Sequence, residues 1–268
     1  MNDPRAALEP SRDVLEGWLK AFSDFALEHI DGTSSAPASG VVGASTHKEA
    51  STLSPDVPAE PLEGGIEHIL SILKRGVELS LNTTGPGYLA YIPGGGLFPA
   101  ALADLVANVT NRFTGIAGAA PLFAQLESDL LEWLATEFGF GPKAHGLFTS
   151  GGSSANLIAF ITARQTHFGD TGDFRTAVAY TSTQSHHSVS KGLRLADIPR
   201  HHVRQIPTDT ALRMDPMALD EAIRADLLSG LNPFLVVSAA GMPNTGAVDP
   251  LSAISQVARR HSIWHHVD

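Results

Sequence analysis

Gly146-Leu-Phe-Thr-Ser-Gly-Gly-Ser-Ser-Ala-Asn-Leu-Ile-Ala-Phe-Ile-Thr-Ala-Arg-Gln-Thr-His167 is the stretch that decides the fold. Gly146 to Thr149 has strand character, two glycines make a turn, and from Ser153 to His167 the apolar positions take up helical spacing. The same rhythm recurs downstream. Ala177 to Thr181 leads into a helix near His186 to Leu195, and His202 to Ile206 precedes a helix opened by Asp215 with Pro216 at its first position. Phe234 to Ala239 precedes another helix, opened by Asp249 and Pro250, and Ile263 to Val267 predicts a final strand. Short apolar strands alternating with helices imply an α/β fold built on a mainly parallel sheet covered on both faces.

Upstream the pattern changes. Val14, Leu15, Trp18, Leu19, Phe22, Phe25, Ala26 and Ile30 recur at helical spacing, and Ile66, Ile69, Leu70, Leu73, Val77 and Leu81 do so over residues 62–81. Gly32 to Pro61, between them, is rich in Ser, Ala, Gly and Pro and has too few large apolar residues to fix its own conformation. The expected organisation is an N-terminal helical arm over 1–84, with a flexible linker at about 32–61, followed by the α/β domain over 85–268. Two amphipathic helices with nothing of their own to cover are expected to wrap a neighbouring subunit.

The 268 residues carry 18 Lys and Arg against 28 Asp and Glu, a formal charge of −10 that argues against nucleic acid or an anionic membrane surface as partner. The absence of cysteine removes disulfides, thiolate metal sites and thiol catalysis, and fits a cytoplasmic location. No apolar run approaches the roughly 20 residues of a membrane span, and the first twelve residues lack the layout of a signal peptide. Asp268 follows directly on an apolar strand, where ligands of open α/β sheets are found. The chain is therefore expected to be incomplete at its C-terminus.

Four places could carry chemistry. Thr149-Ser-Gly-Gly-Ser-Ser-Ala-Asn156 sits at a strand-to-helix junction, where free N–H groups and the helix dipole attract an anion. It is either a phosphate cradle or an ordinary Gly-Ser turn with Ser153 as the N-cap; it lacks the Lys-Ser/Thr of a Walker loop. His186, after the strand Ala177 to Thr181, could stack on a flat cofactor, shuttle a proton, or simply cap a helix. Asp268 is an acid on an apolar strand that either suits a cationic partner such as a protonated pyridine nitrogen or, if the chain ends there, is an exposed terminal acid. Tyr88, Tyr91 and Pro93-Gly-Gly-Gly96 form either a pocket rim or a plain glycine loop. The pairs His186-His187, His201-His202 and His265-His266 raise a metal site, but adjacent histidines on a strand face opposite ways and the ligand spacing of known sites is missing.

Taken in order, Gly85-Pro-Gly-Tyr-Leu-Ala-Tyr-Ile-Pro93, Thr149-Ser-Gly-Gly-Ser153 with Ala155-Asn156, Gln184-Ser-His186, Asn244-Thr-Gly-Ala-Val-Asp249 and Trp264-His-His-Val-Asp268 resemble the group II pyridoxal-phosphate-dependent amino-acid decarboxylases, which include aromatic-L-amino-acid and glutamate decarboxylases. The resemblance covers roughly residues 62–268 and rests on five ordered motifs. It implies a fold-type-I, aspartate-aminotransferase-like large domain, pyridoxal 5′-phosphate as cofactor, a small amino-acid substrate and a homodimer. Gly152 and Ser153 would hold the cofactor phosphate, His186 would stack on the pyridine ring, Asp268 would pair with its nitrogen, and Tyr91 would line the substrate pocket. His186 and Asp268 would be the catalytic residues.

Two features depart from the family's pattern. Met242-Pro243 stand where the family has two threonines, so a hydroxyl contact is lost. The family's Schiff-base lysine lies a few dozen residues beyond the strand-end aspartate, and none of Lys20, Lys48, Lys74, Lys143 or Lys191 aligns with it. The expected function is decarboxylation of an L-amino acid, with this chain a portion that is inactive in isolation. The alternative is a non-catalytic cofactor-binding or dimerisation remnant. A general aminotransferase of the same fold is disfavoured by Gln184-Ser-His186 and the N-terminal arm.

Overall fold

The computed structural model describes residues 10–38, 44–54, 64–89, 91, 94–170 and 172–268. The chain forms two compact units, Met1–Thr110 and Asn111–Asp268. In the first lie helices α1 (Arg12–Thr33), α2 (Ala44–Leu53), α3 (Gly65–Glu78) and α4 (Phe98–Thr110). In the second follow α5 (Pro121–Glu137), α6 (Gly152–Phe168), β1 (Ala177–Ser182), α7 (His187–Leu195), β2 (Val203–Ile206), α8 (Pro216–Leu228), β3 (Asn232–Ser238), α9 (Leu251–Arg260) and β4 (Trp264–Val267). Among the described residues no helix is long and apolar enough to cross a membrane.

α1 and α3 are the two amphipathic helices that the apolar spacing predicts. Within their unit, Lys74 Nζ donates to Glu28 at 2.9 Å and lies 5.8 Å from the centre of the Phe25 ring. Exposed pairs of this kind contribute little, and Leu15, Leu19, Leu73 and Val77 stay exposed. The expectation of an unstructured linker is corrected for residues 44–53, which form α2. Glu49 of that helix accepts from Arg75 Nε at 2.7 Å, and Arg75 also donates to Glu78. Parts of the linker, residues 39–43 and 55–61, lie outside the described residues.

The second unit is organised by a four-stranded, wholly parallel sheet in the order β2-β1-β3-β4. β1 is buried along its whole length, and so is β3 after its first residue. That burial is why both strands are near-continuous apolar runs rather than alternating ones. Ala177 and Ala179 of β1 face a core that includes Phe160, Val189 and Leu193, from α6 and α7. Val178 and Tyr180 face the opposite core, with Leu219 and Ile223 of α8 and Ile254 and Val257 of α9. α6 and α7 approach closely because residue 192 is glycine: a Cβ there would meet the Phe160 ring at 3.0 Å.

Two expectations are corrected in this unit. Gly146 to Thr149 joins no ladder among the described residues, and Leu147 and Phe148 remain exposed. Apolar character alone does not make a strand without a neighbour to share its hydrogen bonds. Asp249 does not cap α9, whose N-cap is Pro250. Its carboxylate is buried and accepts from the backbone N–H groups of Met214 at 2.7 Å and Ala239 at 2.8 Å, tying the end of β3 to the entry of α8.

A buried polar cluster braces β1 against β2 and α8. The Tyr180 hydroxyl donates to Asp226 Oδ2 at 2.8 Å, and Arg204 donates to both carboxylate oxygens, at 3.1 and 2.6 Å. Burial pushes the Asp226 carboxyl up, but hydrogen bonds from Arg204 and Tyr180 outweigh it and hold the group below its ordinary range. The folded-state value is therefore lower than the unfolded one. The contribution is full above the unfolded pKa of about 3.9 and is lost as pH falls through the folded value. Asp226→Asn is expected to lower stability by about 2 kcal/mol at neutral pH, discounted because Arg204 is partly exposed. Urea unfolding at pH 7 and pH 3 checks this: the difference from wild type shrinks at the lower pH, and equal stability at pH 7 contradicts it.

Candidate functional site

α6 begins on an open turn. Gly151 occupies the N-cap position, and no side chain caps the helix. Ser153 stands exposed in the first turn rather than at the cap, which corrects its reading as the N-cap of an ordinary turn. Thr149 Oγ1 donates to the Gly151 carbonyl at 3.0 Å and closes the loop from behind. A Cβ built on Gly151 or Gly152 would meet nothing within 4 Å, so the space over the first-turn N–H groups is clear. The start of a helix with its N–H groups free favours an anion.

One turn further along α6 lies Asn156, only 3% exposed. It shares a helix face with Gly152 and Ser153, at spacings of four and three. One amide hydrogen goes to Asp268 Oδ1 at 3.0 Å, and the other goes to Ser188 Oγ at 3.2 Å. Its oxygen accepts from His266 Nε2 at 2.8 Å. These partners fix the amide orientation, because a carboxylate accepts only and so must face the nitrogen. Burial pushes the His266 imidazole below its usual range, against the pull of the Asp268 charge, and because an amide oxygen only accepts, Nε2 carries the donated proton. Phe160 meets that ring edge-on, with centroids 5.4 Å apart.

Ser188 carries the network to His186. Its hydroxyl lies 2.7 Å from His186 Nδ1, and its backbone N–H donates to the same nitrogen at 3.3 Å, so His186 is the N-cap of α7. Nδ1 therefore bears the lone pair and Nε2 the proton. The Ser188 hydroxyl accepts from Asn156 and donates to His186. Asp268 is held by its backbone as well: its N–H donates to the Ser238 carbonyl at 2.8 Å, and its own carbonyl accepts from Ala240 at 2.9 Å. Its Oδ2 has no hydrogen-bond partner among the described residues.

The buried Asn156 thus links Asp268 directly and His186 through Ser188, on the helix that Gly152 and Ser153 begin. Sequence reasoning quoted Asn156 only as the end of the candidate cradle and of a family motif, gave no role to Ser188, and raised His266 only as a metal ligand. The signal for the first was an asparagine flanked by Ala155, Leu157 and Ile158, a polar side chain on a helix face that the fold buries. Tyr91 belongs to the first unit, where its φ is 59° and its side chain is exposed. Pro93 of the expected rim lies outside the described residues. His265 is on the other face of β4 from His266 and pairs with Ser238 Oγ at 2.7 Å. Among the described residues, no three His, Cys, Asp or Glu side chains gather in a way that could hold a metal ion. Met242, buried where a threonine was expected, anchors its loop by backbone bonds to Gly246 and Ala247.

Comparison with known proteins adds to this geometry. The pyridoxal-dependent decarboxylase conserved domain matches residues 47–268. The chain is 34% identical over 249 residues to an aromatic-L-amino-acid decarboxylase of Bacillus atrophaeus, covering 91% of this chain and 50% of that protein. It is 33% identical over 196 residues to a tyrosine decarboxylase of Oryza sativa subsp. japonica, covering 68% of this chain and 36% of that protein. Among solved structures, 4-hydroxyphenylacetaldehyde synthase of Rhodiola rosea superposes with a TM-score of 0.86 at 25% identity, over 97% of this chain and 57% of that one. The chain spans about half the length, or less, of the curated relatives it matches.

Proposed function

The chain belongs to the pyridoxal-dependent decarboxylase family, and from that premise we propose that it forms the cofactor-holding part of a carboxy-lyase that releases CO2 from an L-amino acid. Its fold is the fold type I of pyridoxal-phosphate enzymes, and the cofactor of the family is pyridoxal 5′-phosphate. The residues present fit that group. The observation that carries the reading is the Asp268 carboxylate, with one oxygen pinned by Asn156 and the other unpartnered, on the same network as an uncapped helix start.

The N–H groups of Gly152 and Ser153, with the dipole of α6, would hold the phosphate. When bound, the cofactor supplies a protonated pyridine ring that accepts the electron pair left when CO2 departs. Asp268 Oδ2 would keep the proton on the ring nitrogen, and Asn156 keeps that carboxylate from rotating away. His186 would present its imidazole face to the ring, its orientation locked from behind by Ser188. Tyr91 would line the substrate pocket.

The decarboxylase and aromatic relatives make an aromatic L-amino acid the first substrate to test. Residues 1–84 would act as a dimerisation arm through the exposed apolar faces of α1 and α3, in a homodimer. Lys191 is exposed on α7. On the family's pattern none of Lys20, Lys48, Lys74, Lys143 or Lys191 would attach the cofactor, and the isolated chain would be inactive. The test is CO2 release by the whole protein from aromatic L-amino acids with and without pyridoxal phosphate. Release that depends on the cofactor and is indifferent to chelators is the expected result; cofactor binding with no release would instead favour a non-catalytic remnant.

A further inference from the structure

α7 has two faces. Ser188, Val189, Gly192 and Leu193 are buried, whereas the opposite face borders a surface cavity of about 780 Å³. α7 contributes His187, Lys191 and Arg194 to its lining, the segment running into β2 contributes Arg200 and His201, and β2 itself contributes Arg204. No acidic residue lines it. On a chain with 28 acidic against 18 basic residues, a cation ordinarily has an acidic neighbour. Arg204 has one, Asp226. Lys191, Arg194 and Arg200 form no ion pair among the described residues.

Gathering unpaired like charges raises the energy of the folded state unless an anion neutralises them. The sign of the local field is visible next door. The neighbouring His202 imidazole is pushed below its usual range first by burial and then by the electrostatic influence of His201 and Arg204, against the pull of Asp226. The volume lies in the range of small-molecule sites, about 300–1,000 Å³. It is far larger than one phosphate needs. Two of the free cations are guanidiniums, whose donor forks match phosphate oxygens. They stand on two separate elements and Lys191 adds a third charge, so a ligand with several linked phosphates offers these cations more charge and more acceptor oxygens than a single anion does.

We infer that this cavity binds the polyphosphate chain of a small molecule, either inorganic polyphosphate or a nucleoside triphosphate. The site is on the solvent face of α7 and does not depend on the cofactor assignment. The test is calorimetric titration of the full chain at about 50 mM salt, where screening is weak. One arm uses inorganic tripolyphosphate and the other uses ATP without magnesium.

Saturable binding of one equivalent is expected. Tripolyphosphate binding as tightly as ATP assigns the inorganic source, and tighter ATP assigns the nucleotide. Arg194→Gln and Arg200→Gln are each expected to weaken binding about tenfold, the size of a lost charge-assisted contact. Lys191→Gln combined with both should abolish it, whereas Arg259→Gln, a cation on α9 outside the cavity, should not change it. The substituted side chains are exposed, and an unchanged thermal midpoint verifies that each variant is folded. No binding in either arm, or a triple variant that binds like wild type, overturns the inference.

Discussion

Asp268→Asn is expected to lower cofactor-dependent CO2 release by about 10²–10³-fold with little change in stability. Asparagine has nearly the same shape, and its oxygen can still accept from Asn156 Nδ2. The backbone bonds to Ser238 and Ala240 do not involve the side chain and are kept. What is lost is the negative charge. A neutral amide does not hold a proton on a pyridine nitrogen as a carboxylate does, so the loss falls on the step in which charge develops and less on cofactor affinity. The measurement is kcat for the whole protein at saturating pyridoxal phosphate. If Asp268 merely ended the strand, kcat would be unchanged, and that result would remove it from the chemistry.

The second large effect is on stability. Asn156→Leu keeps the side-chain volume but strips three groups of their partner: His266 Nε2, Ser188 Oγ and Asp268 Oδ1. Each buried group left unsatisfied costs about 1–3 kcal/mol. Asp268 is exposed enough to regain water, which limits the sum to about 3 kcal/mol. The same change releases Ser188, the anchor of His186, so activity falls with stability. Urea denaturation checks the first part, and a variant within about 0.5 kcal/mol of wild type would mean that the network is incidental.

Much of this arrangement was legible in the chain itself. β1 and β3 are marked by apolar runs that only a doubly covered strand needs, and α8 is marked by Asp215-Pro216. The Asp215 carboxylate accepts from Met217 N–H at 2.8 Å as a capping residue should. Asp249-Pro250 carries the same local signal and behaves differently. Its carboxylate found two buried backbone donors, from Met214 and Ala239, that are distant in sequence and invisible to a local pattern. Gly146 to Thr149 failed for the complementary reason, since a strand is a relation between two segments and not a property of one. The pairing of Glu49 on α2 with Arg75, 26 positions away, is invisible to a local pattern in the same way. In the candidate site, the glycines, His186 and Asp268 stand out in the sequence by type and position. Asn156 does not, because its importance comes from three partners contributed by α7 and by β4 with the residue that follows it, brought together only by folding.

The central claim is that Gly152, Ser153, His186 and Asp268 hold one cofactor. A crystal structure of the chain with pyridoxal 5′-phosphate tests it most directly. The account predicts the phosphate on the N–H groups of Gly152 and Ser153, the ring against His186, and the ring nitrogen on Asp268 Oδ2. A cofactor bound elsewhere, with Asp268 Oδ2 still unpartnered and the start of α6 empty, would contradict it.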